Sequence, residues 1–491
     1  MVSANAKTGI CLGCGAFSVV TGAVMVIFWP AMFFAQLKNM MILTPDSMSF
    51  DVWHETPIPM YLECFFLNIS NADEMTKTPG LKPKIVQMGP YVFRETHSKR
   101  NITFYDNATV SFLNQRFWHF VPEKSNGSLS DNITSINPII ATISYMLRFR
   151  GRILTSLANA FMAANHEHMF KTANASSWMF EGIEDPVLDI AKSIPVINLN
   201  LPFDRFGWFY TRNGSKTFDG TFLMNTGAKD FSSLGNVEKW KYSNRTVYPD
   251  QCGEVRGSTG ELWAPELGQP ELTIFASDIC TFIIMGKDGD HVVEGISGVR
   301  YQSNDSIFDN GHNYKHMSCY CDDKHPEECM PFGALNISEC RFGAPAFVSL
   351  PHFNQADPVY REAIDGLNPT PDMNFRLTLE MFTGMPLAVG VSLQINMLVR
   401  KVRGFTILDP FENDTLVPMF WFRQELEITE DYARTARFAL NLRYGVFIAF
   451  YVITALGIAI LIAGIVMLIR KILVSPDTRP ILEESNHSES D

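Results

Sequence analysis

The chain has 491 residues, 46% of them apolar and 19% charged, with a formal net charge of −12. That balance argues against a nucleic-acid partner, because phosphate binding needs clustered Lys and Arg. The apolar residues are unevenly placed: no charged residue stands in Gly9 to Trp29 or in Gly445 to Ile469. Each run exceeds the ~20 residues that carry a helix across a bilayer core, which excludes a cytosolic protein.

In chain order, a short tail (1–8) leads into a first transmembrane helix (9–33). Its apolar run continues through Phe28-Trp29-Pro30 into Met32-Phe33-Phe34 with no small-residue cleavage site, so it reads as an uncleaved anchor rather than a signal peptide. Cys11 and Cys14 at its cytosolic edge are candidates for palmitoylation. Residues 34–443 form the ectodomain, large enough for a core of its own. Met41 to Leu67, Ile85 to Glu95 and Thr103 to Phe120 read as strands, the last broken by a turn at Asp106-Asn107. Asn137 then offers a helix cap with Pro138 behind it. Apolar residues recur at helical spacing from Ile139 to Met162, with Gly151 weakening the middle, and Ser177 to Ile183 and Pro186 to Ile194 read as shorter helices. Residues 137–195 are therefore expected to be a helical insert in a β domain. Short strands and turns follow from Leu201 to Leu408 around a cysteine-tied region (252–340). Ala346 to Leu350, Val389 to Val399 and Pro418 to Phe422 read as strands, and Asp431 to Arg443 as a charged helix entering the second transmembrane helix (444–469). The tail 470–491 is polar and acidic at its end. Gly9-x-x-x-Gly13 and Ala459-x-x-x-Ala463 offer small-residue faces for packing the two spans.

Two features place the ectodomain in the lumen or outside the cell. Asn-x-Ser/Thr acceptors begin at Asn68, Asn101, Asn107, Asn126, Asn132, Asn174, Asn213, Asn244, Asn304, Asn336 and Asn413. Cys252, Cys280, Cys319, Cys321, Cys329 and Cys340 form an even set that reads as disulfides, with a zinc cluster as the rival reading. Cys64 reads as a buried free thiol. Both termini then face the cytosol, and Asn486 in the tail is expected to stay unmodified.

No catalytic pattern stands out. Gly295-Ile296-Ser297-Gly298 lacks the spacing of a nucleophile elbow. His166-Glu167-His168 places two imidazoles on diverging directions of a helix, unsuited to one metal ion. Asp204, Asp219 and Asp230 read as isolated turn residues. The expectation is therefore no enzyme, no metal and no cofactor, with an ectoenzyme kept as a rival. A two-span channel is the other rival, but the spans offer only Ser18, Thr21, Tyr451 and Thr454 as polar side chains for a pore.

Several segments in fixed order carry a resemblance: Gly89-Pro90-Tyr91 before Arg94, Ser277-Asp278-Ile279-Cys280, Ser349-Leu350-Pro351-His352-Phe353, Ile364-Asp365-Gly366-Leu367-Asn368-Pro369, Leu393-Gln394-Ile395-Asn396 and Val417-Pro418. With them the chain resembles the class B scavenger receptor family from span to span. The resemblance implies an α+β membrane protein: a large antiparallel β-barrel ectodomain with an apical helical bundle, flanked by two transmembrane helices. It implies the pairs Cys252–Cys319, Cys280–Cys340 and Cys321–Cys329. It also implies a lipid tunnel, for which Phe275, Phe347, Val389 and Leu393 are the candidate lining.

The family's ligand capture at the apex maps to residues 150–184, with Asn165, His166, Glu167, His168 and Lys171 as candidates here. Fatty-acid-binding relatives carry lysines where this chain has Asn165 and Glu167; Arg148, Arg150 and Arg152 are nearby positive charge. His166 and His168 suggest release of ligand in acid. In the tail, Asp477-x-x-x-Ile481-Leu482 resembles an acidic dileucine sorting signal read by clathrin adaptors. The expected function is a receptor for lipid, lipoprotein or protein cargo, acting by lipid transfer, endocytic uptake or both, at the plasma membrane and in endosomal or lysosomal membranes. The alternative is a sorting receptor for a lumenal protein. A homo-oligomer is compatible with either.

Overall fold

The computed structural model describes residues 4–188, 204–265, 268–321 and 325–474. They fall into two compact units, Met1–Asn39 with Arg434–Asp491, and Met40–Ala433.

The first unit is built on the helices Ala4–Met41 and Glu430–Val474, each long and apolar enough to cross a bilayer. Both overrun the apolar windows of the sequence, and the charged stretch from Asp431 to Arg443 is simply the start of the second helix. At ~1.5 Å per residue, helices of this length outreach a ~30 Å hydrocarbon core, which leaves their polar ends for the interfaces. Close approach is made at Gly15, Gly22, Gly457 and Gly464. A Cβ on Gly15 would stand 2.7 Å from the Leu461 nitrogen, and one on Gly457 would stand 2.8 Å from the Ser18 Cβ. Gly9 and Gly13 have nothing within 4 Å. The contact thus repeats every two turns, the period of a left-handed helix pair, rather than at the four-residue spacing singled out above.

The second unit is a β-barrel. Its antiparallel strands follow the order Glu271–Ala276, Thr281–Val293, Ile296–Gln302, Arg376–Glu380, Pro386–Val399, Thr415–Glu427, Met60–Ile69, Ile85–Tyr105, Thr109–Phe120, Thr221–Asn225 and Val237–Trp240. Ala346–Ser349 pairs with the far half of Pro386–Val399 and carries Ala334–Asn336 on its other edge. An open sheet of this length would present two unpaired edges. Here a single extended pair of residues stitches them. Val237 N–H donates to Gly257 O at 2.8 Å, Ser258 N–H to Thr273 O at 3.1 Å, and Phe275 N–H to Ser258 O at 2.8 Å. Gly257 is required there: its φ is +93°, and a Cβ would lie 2.5 Å from Thr273 O.

Local chemistry explains where the sequence reading was too simple. Within Met41 to Leu67 only Met60–Ile69 is strand; Ser47 caps a helix at Met48–His54 by accepting from Phe50 N–H. The insert is not all helix. Asn137 Oδ1 caps Pro138–Met146, the chain breaks at Leu147–Gly151, and Arg152–Ala164 follows. Phe170–Asn174 is then a strand paired with Asn132–Ile136, because its backbone groups find a ready partner edge there. Ser177–Glu181 is a single π turn. The predicted helix from Pro186 to Ile194 runs past Leu188, outside the described residues. The six clustered cysteines bond as Cys252–Cys319, Cys280–Cys340 and Cys321–Cys329. Cys64 is free and fully buried, and that burial pushes its thiol pKa up.

Candidate functional site

Side chains alternate between the two faces of a strand. On Pro386–Val399, the odd positions Val391, Leu393, Ile395 and Met397 face the barrel interior. On the neighbouring strand their partners Gln424, Phe422 and Phe420 do the same. The even positions Gln394 and Asn396 point the other way, into a fully buried amide layer. There Gln394 Nε2 donates to Asn396 Oδ1 at 2.8 Å, Asn396 Nδ2 to Ser349 Oγ at 3.0 Å, and His352 N–H to Gln394 Oε1 at 2.7 Å. One strand therefore carries an apolar wall and a polar anchor on opposite faces.

The inward faces surround a cavity of about 350 Å³, with Pro138, Ile139, Thr142 and Ile143 of the helix Pro138–Met146 contributing to its wall. Phe275 and Leu393 of the predicted lining stand on it. Phe347 and Val389 do not. Strand alternation turns Phe347 away, and its neighbours Ala346 and Val348 line the cavity instead. Val389 has the inward phase but lies further along the strand, opposite Leu426.

One side of this apolar space is ionic. Arg116, Arg212 and Arg341 line it together with Glu95 and Asp278. Arg212 Nη2 bonds Asp219 Oδ1 at 2.9 Å and Asp278 Oδ1 at 2.8 Å; Arg116 Nε lies 3.5 Å from Asp219 Oδ2 and 3.8 Å from Glu95 Oε1. Behind them the buried Lys99 donates to Glu261 Oε1 at 2.6 Å and to Asn114 Oδ1 at 3.0 Å. His97 bridges the same carboxylate at 3.3 Å. Burial lowers the pKa of both Lys99 and His97, in Lys99 against the pull of Glu261. Burial also pushes the Glu95 carboxyl up, against Arg116. Asp278 goes the other way: burial opposes its charge, but Arg212, then Arg116 and Arg341, outweigh burial and hold it below the usual carboxylate range.

Sequence reasoning missed this cluster and set Asp219 aside as a turn residue without a partner; in the fold it is buried against two arginines. The available signal was Arg116 at the same strand phase as Asn114 and Trp118, an inward phase for a charge.

The apical candidates do not converge. Glu167 is buried, accepts from Asn137 Nδ2 at 2.6 Å and pairs with Lys171 at 3.7 Å, while Lys171 also holds Asp185 at 2.7 Å. These groups brace the turn that follows Arg152–Ala164. Asn165 caps its helix and donates to Phe161 O, and Arg148 is paired with Glu328. His166, His168, Arg150 and Arg152 are exposed, as are Ile153 and Leu157, at 80% and 62%. Cys11 and Cys14 lie within the first long helix. Of the acceptor asparagines, Asn101, Asn107, Asn126, Asn132, Asn213, Asn244 and Asn413 are exposed, and Asn68, Asn174, Asn304 and Asn336 are half-buried. Asp477, Ile481 and Leu482 lie outside the described residues.

Comparison with known proteins gives a consistent pattern. A family model described as the CD36 family matches residues 13–468. The chain is 34% identical over 463 residues to scavenger receptor class B member 1 of Sus scrofa, covering 93% of this chain and 88% of that protein. It is 31% identical to protein peste of Drosophila melanogaster over 436 residues, 87% of this chain and 76% of that one. It is 28% identical to human lysosome membrane protein 2, over 86% of each.

Proposed function

The chain belongs to the CD36 family, and we propose that it is a two-span receptor that takes up lipid or lipoprotein cargo and passes lipid through the interior of its barrel. The observation that carries this reading is the closed barrel around an apolar cavity of about 350 Å³. A methylene moved from lipid to water costs about 0.8 kcal/mol, so a sixteen-carbon chain faces about 12 kcal/mol in the open. A lined interior removes most of that barrier. Both termini are cytosolic in this reading, the exposed asparagines carry glycans, and the tail engages a clathrin adaptor. His166 and His168, both exposed, make apical capture weaker in acid; apical affinity that stays the same at both pH values in the double Ala variant and wild type would remove that part.

The test is transfer of a fluorescent lipid into vesicles holding the full-length protein. Wild type is expected to accelerate transfer, and Val391→Trp, which fills the cavity from its wall, to abolish the acceleration. Equal rates in the two would overturn the reading.

A second reading, a sorting receptor for a lumenal protein, is favoured by the exposed apolar pair Ile153 and Leu157 on the apical helix. Loss of a co-purifying protein on Ile153→Asp/Leu157→Asp, with lipid transfer intact, would support it.

A further inference from the structure

Four of the glycan acceptors have an aromatic residue two positions before the asparagine: Phe66 before Asn68, Tyr105 before Asn107, Tyr242 before Asn244 and Phe411 before Asn413. A pyranose ring presents a layer of C–H groups on its face, and an aromatic ring presents a negative π face, so the two attract where the backbone brings them together. Phe66 and Phe411 are buried in the core. Tyr105 and Tyr242 are 48% and 83% exposed, and local geometry separates these two.

Tyr105 ends one strand of a hairpin, Thr109 begins the other, and the two are directly paired. The loop between them is Asp106-Asn107-Ala108. Ala108 N–H donates to Tyr105 O at 3.1 Å, and Ala108 takes φ +66°, the left-handed position that ends a three-residue hairpin loop. Directly opposed residues point to one face, with Cβ atoms about 4.5–5.5 Å apart. That face is the outer one, because the alternate residues Val110 and Phe112 point into the core. Thr109 Oγ1 donates to Asn107 Oδ1 at 2.7 Å, which draws the amide of the exposed Asn107 over the same face. The Tyr105 hydroxyl lies 3.1 Å from Ser111 Oγ, two residues beyond Thr109, so the ring leans diagonally across the hairpin. An exposed aromatic face, the acceptor asparagine and its threonine thus stand together on one side of one loop.

At Asn244 the spacing is the same and the register is absent. Tyr242 sits inside a two-residue turn with Lys241, both at positive φ, closed by reciprocal backbone bonds between Trp240 and Ser243. Thr246 donates its backbone N–H to Gly253 O instead. Tyr242 and Thr246 are therefore not opposed across a hairpin.

We propose that Tyr105 is a docking platform for the first N-acetylglucosamine of a glycan on Asn107, which makes that sugar part of the outer packing of the hairpin. This rests on the reading that the exposed acceptor asparagines are glycosylated. Transfer from a diphosphate-linked lipid donor forms the Nδ2–C1 bond, breaks the C1–O bond to the diphosphate and releases one Nδ2 proton. The sugar then lies back over the ring and removes apolar surface of both from water.

The experiment uses the full-length protein in detergent, as wild type and as Asn107→Asp, which keeps an acceptor oxygen for Thr109 and removes the glycan. Glycopeptide mass spectrometry reads occupancy, and hydroxyl-radical footprinting reads access to each tyrosine ring. Tyr105 is expected to be oxidised several-fold more slowly in wild type than in Asn107→Asp, whereas Tyr242 should react alike in wild type and Asn244→Asp. Trimming to a single N-acetylglucosamine should leave the protection of Tyr105 intact. Equal Tyr105 rates with Asn107 occupied overturn the platform and leave glycosylation standing. An empty Asn107 in wild type overturns both at this site. Enzymatic release of the glycans from the native wild type, which leaves Asp at each acceptor, gives the same comparison where the variant does not fold. Melting temperature supplies a second readout: Asn107→Asp should cost about 2 °C in wild type and in Tyr105→Phe, and nothing in Tyr105→Ala. The same loss in all three would make the glycan's effect independent of the ring and overturn the platform.

Discussion

Arg341 donates from Nη2 to the backbone carbonyl of Asp278, a residue 63 positions away in the chain. The contact exists because Cys340, next to Arg341, is bonded to Cys280, two residues past Asp278. Asp278 in turn holds Arg212. The disulfide therefore staples not only two loops but the charge arrangement on the cavity wall, and the link from covalent bond to electrostatics is direct.

Removing that staple should cost stability and charge order together. With a sequence separation of 60, loop-closure entropy puts the loss at about 4 kcal/mol. Cys280→Ser/Cys340→Ser is expected to lower the melting temperature of the full-length protein strongly. Cys321→Ser/Cys329→Ser, which opens a loop of separation 8, should cost about 2 kcal/mol less. Equal losses would show that chain entropy does not dominate.

His352 gives a pH prediction. Its Nδ1 accepts from Asn368 N–H at 3.2 Å, so Nε2 carries the proton and donates to Gln87 Oε1 at 2.8 Å, an oxygen that also accepts from Trp421 Nε1. A second proton would break the Asn368 bond, and burial lowers the imidazole pKa from 6.5 to about 4. The unfolded chain therefore takes up the proton first as pH falls. This contribution to stability is complete above about pH 6.5 and is lost progressively toward pH 4, amounting to about 3 kcal/mol at most. Asn tolerates the left-handed backbone at this position, φ +54°. His352→Asn should be less stable at neutral pH but lose less between about pH 7 and 4.5, as read by thermal unfolding at both. An unchanged slope would place the acid sensitivity elsewhere.

Phe347 and Val391 separate packing from passage. Phe347 is 2% exposed and faces away from the cavity, so Phe347→Ala should destabilise by about 3–5 kcal/mol while lipid transfer per folded molecule stays near wild type. Val391→Trp should do the reverse. Melting temperature and transfer rate, measured on the same preparations, check the pair.

Much of the architecture was legible because membranes and alternation leave strong marks. The uncharged runs at both ends are what a helix in lipid must show. The segment Leu393-Gln394-Ile395-Asn396 states its own two-faced role in its alternation. What stayed hidden needed three dimensions. Asp219 looks idle in sequence because its partners Arg116 and Arg212 come from a strand and a turn brought together by the fold. The strand Phe170–Asn174 lies in a helical context and was readable only through its partner Asn132–Ile136. Gly257 closes the barrel by a positive φ that no periodicity records.

The packing of the two long helices offers a last test, since the four-residue spacing and the contact geometry disagree. A Cβ on Gly22 would meet Thr454 Oγ1 at 2.2 Å and the Thr454 nitrogen at 3.0 Å. The hydroxyl is itself fixed by donating to Phe450 O at 2.8 Å, so the neighbour has little room to yield. Gly22→Leu should force the helices apart, whereas Gly13→Leu should be tolerated. The readout is crosslinking by a short bifunctional thiol reagent between cysteines placed at Trp29 and Phe450, whose rings meet at 6.1 Å across the pair, in a background with Cys11 and Cys14 replaced by Ala. Crosslinking is expected in that background and with Gly13→Leu, and its loss with Gly22→Leu. The opposite result would move the interface to the Gly9 and Gly13 face and show that in lipid the helices choose the shorter small-residue period.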